Sequence, residues 1–249
     1  MIPEKWYYLL LMLGSILVPL LRSFEPRIHF HTSFGPLFKG IALVGGIFII
    51  WDAIFTHYGI WGFNDRYLIG LKILGLPLGE WLFFVVIPFC CIFIYRVMNY
   101  FISKDVGPLV TMWTTRFLLG FSSAMAIVHY DRWYTVLTFS FLALLLYLEL
   151  NYWRSPSWLG NFYRSYLVVL IPFFIVNGIL TGSWIEEQVV WYNPNQMIGV
   201  RIGTVPFEDA FYGMILILGI TTIYEAGRRG FSVLALLRGE VDWDTDPKK

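Results

Sequence analysis

The sequence predicts an all-α, polytopic membrane protein with seven transmembrane helices. They are arranged as a parallel internal repeat of three spans, one linking span and three spans. Three observations predict it. The 249 residues are 57% hydrophobic and only 14% charged, too little charge to cover a soluble domain of this length. Apolar runs of about 20 residues recur along the chain, and that length crosses a bilayer at about 1.5 Å per residue. Segments of the two halves also resemble one another at fixed spacings.

Spans are expected at 5–22, 36–57, 77–97, 108–129, 133–151, 164–182 and 206–226, separated by Pro, Gly and charged clusters. The start, MIPEKWYYLLLMLGSILVPLLRS, lacks a clear basic leader and a small-residue cleavage site, so it reads as the first span. Seven spans put the termini on opposite sides. Lys5, Arg66, Lys72, Arg132 and Arg201 fall on the N-terminal side, and Arg116 lies within span four. Twelve basic residues fall on the other side, from Arg22, Arg27 and Lys39 through Arg96, Lys104, Arg154 and Arg164 to Arg228, Arg229, Arg238, Lys248 and Lys249. This excess places the N-terminus outside and the C-terminus in the cytoplasm, as expected for a multi-pass protein of the cell membrane.

The repeat is read from FNDRYLIGLKILGLPLGEWLFF at 63–84 and YNPNQMIGVRIGTVPFEDAFYG at 192–213. At a spacing of 129, Asn64 meets Asn193, Gly70 meets Gly199, Lys72 meets Arg201, Pro77 meets Pro206, Glu80 meets Asp209 and Tyr95 meets Tyr224. Upstream the spacing is 125, so that Asp52 meets Asn177 and Thr56 meets Thr181. Spans two and three thus match spans six and seven, and span one matches span five by position. The boundaries that follow are a first repeat at 1–107, a linking span at 108–130, a second repeat at 131–228 and a cytoplasmic tail at 229–249. A single linking span makes the halves parallel, related by an axis along the membrane normal.

A net charge of +1 gives no electrostatic case for nucleic acid. Cys90 and Cys91, the only cysteines, are neighbours in an apolar run and read as small hydrophobes. No His, Cys and carboxylate spacing suggests a metal site, and no Gly-rich fingerprint offers a berth for a flavin or nicotinamide; no cofactor is expected. His57 and His129 sit at outer span ends and read as interfacial residues.

The candidate chemistry lies in the acids. Glu80, Glu208 and Asp209 fall in the first turn of spans three and seven, beside the aromatic runs WLFF at 81–84 and AFY at 210–212. A structural reading exists, because carboxylates favour helix N-termini by about 0.3–1 kcal/mol. It accounts for one acid per helix but not for a matched pair among aromatics, and intramembrane ionisable groups are candidate functional sites. Asp52, in IIWDAIFTH, has Asn177 as its match. A hydrogen bond between spans and a role at the site both remain open for it. At the cytoplasmic end, Glu225 is expected near a basic residue, with Arg96 favoured over Arg116.

WDAIFTHYGIWGFN followed by LPLGEWLFFVVIP resembles the membrane-embedded lycopene cyclase domain, found in two-subunit bacterial cyclases and in fungal fusions with phytoene synthase. That family carries a Pro-x-Glu-Glu motif in one half and a Pro-x-Glu-Asp motif in the other. Residues 77–80 match the first except that Gly79 stands where an acid is usual, and residues 206–209 match the second in full. The resemblance covers roughly residues 5–228 and implies the two-subunit enzyme in one chain. It implies acid-catalysed, non-redox cyclisation of the ψ ends of lycopene to β rings through a carbocation. Glu80, Glu208 and Asp209 would then act as acid and base. Trp51, Trp81, Phe83, Phe84, Phe211 and Tyr212 would offer π faces to the cation, with Asp52 and Asn177 also lining the substrate site. The implied partners are lycopene, the lipid bilayer and other carotenoid enzymes. Two rivals stay open: a small-substrate transporter with a parallel repeat, and a non-catalytic carotenoid-binding protein. A retinal photoreceptor needs a Lys in its last span, and residues 206–226 contain none.

Overall fold

The structure is a computed structural model that describes residues 3–154 and 156–244; Lys248 and Lys249, placed on the cytoplasmic side above, lie outside the described residues. The helices are α1 (Tyr7–Arg22), α2 (Phe34–Gly40), α3 (Gly46–His57), α4 (Leu78–Phe101), α5 (Pro108–Val128), α6 (Trp133–Tyr147), α7 (Leu159–Leu180), α8 (Phe207–Arg228) and a short α9 (Val233–Leu237). A π-helical turn, Ile41–Gly45, joins α2 to α3, and another, Leu148–Tyr152, extends α6.

Six continuous stretches are long and apolar enough to cross a membrane: Glu4–Arg22, Phe30–His57, Leu78–Phe101, Trp133–Tyr152, Leu159–Leu180 and Phe207–Arg228. The seventh expected span, α5, is 21 residues long but is not among them. Arg116, three threonines and two serines lower its hydropathy.

Packing exchanges the halves. α1 lies on α4 and α6 on α8, while α2 lies on α8 and α7 on α4; α4 and α8 also touch each other. α5 covers α6 and α7. Burial follows, because α8 keeps fourteen residues buried from Glu208 to Ala226, whereas α1, on the outside, buries Tyr8 and Met12.

The expectation of an all-α chain needs one correction. Three two-stranded ribbons form in the loops: β1 (Trp61–Phe63) with β4 (Val190–Tyr192), β2 (Lys72–Ile73) with β3 (Leu76–Pro77), and β5 (Arg201–Ile202) with β6 (Val205–Pro206). Aromatic and β-branched residues favour the strands, and two-residue connections close the two hairpins. The ribbons repeat at the sequence spacing of 129, since β1 begins at Trp61 and β4 at Val190. In the β1–β4 pair Gly62 faces Trp191, its own match, and Trp61↔Tyr192 and Phe63↔Val190 flank it symmetrically. A local two-fold axis therefore passes between Gly62 and Trp191. Gly62 is required there because any Cβ would collide with the Trp191 indole.

At the cytoplasmic end Glu225 does lie beside basic residues, but the expected partner is corrected. Glu225 is buried and pairs with Arg228 (3.0 Å) of its own helix and with Arg229, which caps it, not with Arg96 or Arg116. Residues three and four positions along a helix are its nearest neighbours, so partners within α8 reach the carboxylate first.

Candidate active site

The first turns of α4 and α8 set the site. Pro77 and Pro206 stand just before the helices in extended conformation. Two residues further into each first turn come Gly79 and Glu208, and three further come Glu80 and Asp209. Successive residues diverge by about 100° around a helix, so Glu208 and Asp209 face different surroundings. Asp209 lines a narrow cavity between α4, α7 and α8, together with Glu80, Asp52 and Asn177. Glu208 does not line it.

The carboxylates are buried, with Asp52 at 2%, Glu80 at 8% and Asp209 at 3% exposure. Tyr8 of α1 donates to Glu80. Tyr134 of α6 donates to Asp209 Oδ1 at 2.5 Å, and Tyr192 of β4 donates to Oδ2 at 2.9 Å. Asn177 Nδ2 adds a longer bond to Oδ2 at 3.4 Å. The Trp61 indole N–H donates to Asp52, whose Oδ2 has no protein partner among the described residues. Burial, then the Asp209 carboxyl beside it, pushes the Tyr192 phenol well above its ordinary value, so Tyr192 remains a donor at neutral pH.

The β1–β4 ribbon roofs the cavity. Side chains alternate across a strand, and Trp61, Phe63, Val190 and Tyr192 line the cavity while Trp191 covers Gly62 from outside. Trp61, Tyr134, Tyr192 and Tyr212 form an aromatic cage: Trp61 lies 5.2 Å from Tyr134, 6.1 Å from Tyr192 and 5.9 Å from Tyr212 between ring centroids. Above the roof, Arg66 holds Glu4, Glu186 and Glu187, tying the chain before α1 to the loop leading into β4. Below the acids the walls are apolar, formed by residues such as Phe83, Ile87, Val169, Phe173, Leu216 and Ile217.

Of the residues singled out by sequence, Asp52, Glu80, Phe83, Asn177, Asp209 and Tyr212 share this cavity. Glu208 points instead toward α6 and the loop between β4 and β5, where it accepts from Thr135 (2.7 Å) and from the Ile198 backbone N–H (2.7 Å). Trp51 packs behind Tyr212 at 5.1 Å, and Trp81 donates to the Ile73 carbonyl of the β2–β3 hairpin. Phe84 packs on Phe48, and Phe211 on Phe139 and Phe121. These four rings lie on other faces of their helices and none lines the cavity.

The unusual Gly79 has a steric cause. A Cβ there would lie 2.5 Å from Tyr8 Cγ, so the ring of Tyr8 occupies the space of a side chain at 79. In the second half the arrangement is inverted, with Glu208 filling that space and the small Thr135 bonded to it. The phenols Tyr8, Tyr134 and Tyr192 and the indole of Trp61 line the candidate site and bond its carboxylates, and the sequence did not single them out. A signal for two of them exists: EKWYY at 4–8 and DRWYT at 131–135 share an acid, a base and Trp-Tyr, and register Tyr8 with Thr135.

A family model described as lycopene cyclase matches residues 4–98 and 131–226, leaving out the stretch that contains α5. A search of curated proteins and one of solved structures found no match.

Proposed function

This chain belongs to the lycopene cyclase family, whose model covers both halves, and from that premise we propose that it closes ψ ends of lycopene into β rings by proton transfer beneath the β1–β4 ribbon. The observation that carries the reading is the convergence of Glu80 and Asp209, matched acids from the two halves, on one buried aromatic cavity.

In this reading Glu80, held by the single phenol of Tyr8, delivers a proton to C2 of the terminal C1=C2 bond. The cation forms at C1. The C5=C6 pair attacks it, closing the C1–C6 bond and moving the charge to C5. The π faces of Trp61, Tyr134, Tyr192 and Tyr212 stabilise the cation electrostatically. Asp209, on which Tyr134, Tyr192 and Asn177 converge, takes the C6 proton, and the C5=C6 bond re-forms. One proton enters and one leaves, so the product is an isomer of the substrate and no redox partner is consumed. The carboxyls re-equilibrate with water between turnovers. Glu208 serves as a positioning residue, because its bonds to Thr135 and Ile198 hold α6 against the start of α8.

The apolar lower walls give a polar solute no partners, which argues against a transporter. In keeping with the basic-residue asymmetry, the site sits toward the outer face of seven spans, α5 included, with the two halves related by an axis through the Gly62–Trp191 pair.

The test is cyclisation in heavy water. Purified protein in lycopene-loaded vesicles, without added nucleotide, is expected to yield rings carrying one deuterium each at C2. Rings free of deuterium would overturn the proton-transfer mechanism. Unchanged lycopene with folded protein would overturn the reading itself.

A further inference from the structure

Below the acids the cavity continues along α7 from Asn177 to Tyr166 and along α4 from Glu80 to Cys91. Twelve residues of helix on each side line it over about 16 Å, roughly half of the ~30 Å hydrocarbon core. A two-fold repeat should build a second such channel, between α3, α8 and α4. At the spacing of 125, Asp52, Phe48 and Val44 stand where Asn177, Phe173 and Val169 stand.

That second channel is filled. At the spacing of 129, Phe84 occupies the position of Gly213. Gly213 lines the cavity beside Phe173, and a Cβ there would already lie 3.1 Å from the Phe173 ring. Phe84 is 1% exposed and packs on Phe48, the match of Phe173, at 6.3 Å. The backbones also come close in the first half. A Cβ on Gly40 would lie 3.1 Å from the Ile220 carbonyl oxygen, and one on Gly45 would lie 3.4 Å from that of Phe84. The matched positions in α7 are Ser165 and Leu170, which carry side chains where the first half has none.

We propose that the chain has one polyene channel rather than two, and that it therefore cyclises one end of its substrate per binding event, releasing a monocyclic carotenoid before any second ring forms. This rests on the cyclase reading above. The acids sit at the head of the channel and receive the ψ end, while the rigid conjugated chain runs down between α4, α7 and α8. The far end of the polyene lies beyond the reach of any carboxylate until the molecule leaves and re-enters reversed.

The experiment is a product time course with the full chain in vesicles and labelled lycopene in large excess, chased with unlabelled lycopene. Free monocyclic product is expected to predominate in the earliest samples, and the chase is expected to hold the label in the monocyclic form. Bicyclic product from the first samples, with no free monocyclic species and no effect of the chase, would overturn the single-channel inference while leaving the cyclase reading intact. Absence of any ring would overturn the cyclase reading instead, and this inference with it. A second arm installs the plug. Gly213→Phe is expected to lower cyclisation by at least about 100-fold in protein that still inserts, and wild-type turnover by it would show that the polyene runs elsewhere. If that variant fails to insert, the wild-type time course still decides.

Discussion

Glu208 and Asp209 are neighbours in the chain but not in surroundings, because one step of a helix turns a side chain by about 100°. Asp209 meets three donors in the cavity, whereas Glu208 braces α6 and the loop at Ile198. The acids were legible in the sequence because a matched carboxylate in an apolar run is rare. Their donors were not, since Tyr8 and Tyr134 come from other spans and a lone tyrosine near a membrane interface is ordinary. Two predictions belong here. Tyr134→Phe removes a hydrogen bond to a charged-group acceptor, worth about 1.5–3 kcal/mol, and is expected to slow cyclisation by about 10–100-fold without preventing insertion; initial rates normalised to inserted protein check it. Gly79→Ala forces a methyl group into the Tyr8 ring. It is expected to destabilise the protein by about 1–3 kcal/mol, read as a lower thermal midpoint in detergent, and Tyr8→Thr in the same chain is expected to restore the midpoint.

The six long apolar stretches were legible as elements because each carries a run long enough to register, and their observed ends fall within a few residues of expectation except at α7, which begins at Leu159 rather than 164; the short α9, within the expected tail, was not foreseen. The ribbons were hidden, since strands of two or three residues are too short for an alternating pattern to show. The π turn at Ile41–Gly45 was likewise hidden, because an extra residue in a helical turn leaves composition unchanged. One hairpin carries a local mismatch. The β2–β3 connection is Leu74-Gly75, both with positive φ (53° and 80°), a conformation that asparagine and glycine accept and leucine resists. The matched turn has Gly203 at the first of these positions, with φ 63°. Leu74 is 68% exposed and contributes little packing. Leu74→Asn is expected to stabilise the protein by up to about 1 kcal/mol, seen as a higher thermal midpoint with unchanged turnover; a lower midpoint would mean that the leucine is held by contacts with lipid.

Across the whole molecule, the repeat does more than double the helix count. The halves exchange partners, α2 lying on α8 and α7 on α4, so that the matched acids Glu80 and Asp209, one from each half, face a common space under a ribbon built from both. That the halves match was legible from the constant spacing. The proposed single channel was not, because it depends on which of the matched positions holds a phenylalanine and which a glycine. The central claim, a single site that needs one carboxyl from each half, is tested most directly by lycopene conversion in Glu80→Gln and Asp209→Asn, each measured alone and normalised to inserted protein. General acid–base groups typically contribute about 10²–10⁴-fold, so each single variant is predicted to lose at least about 100-fold. If each variant instead keeps about half of the wild-type rate, and only the double variant is inactive, the halves work as two independent sites and the account is contradicted.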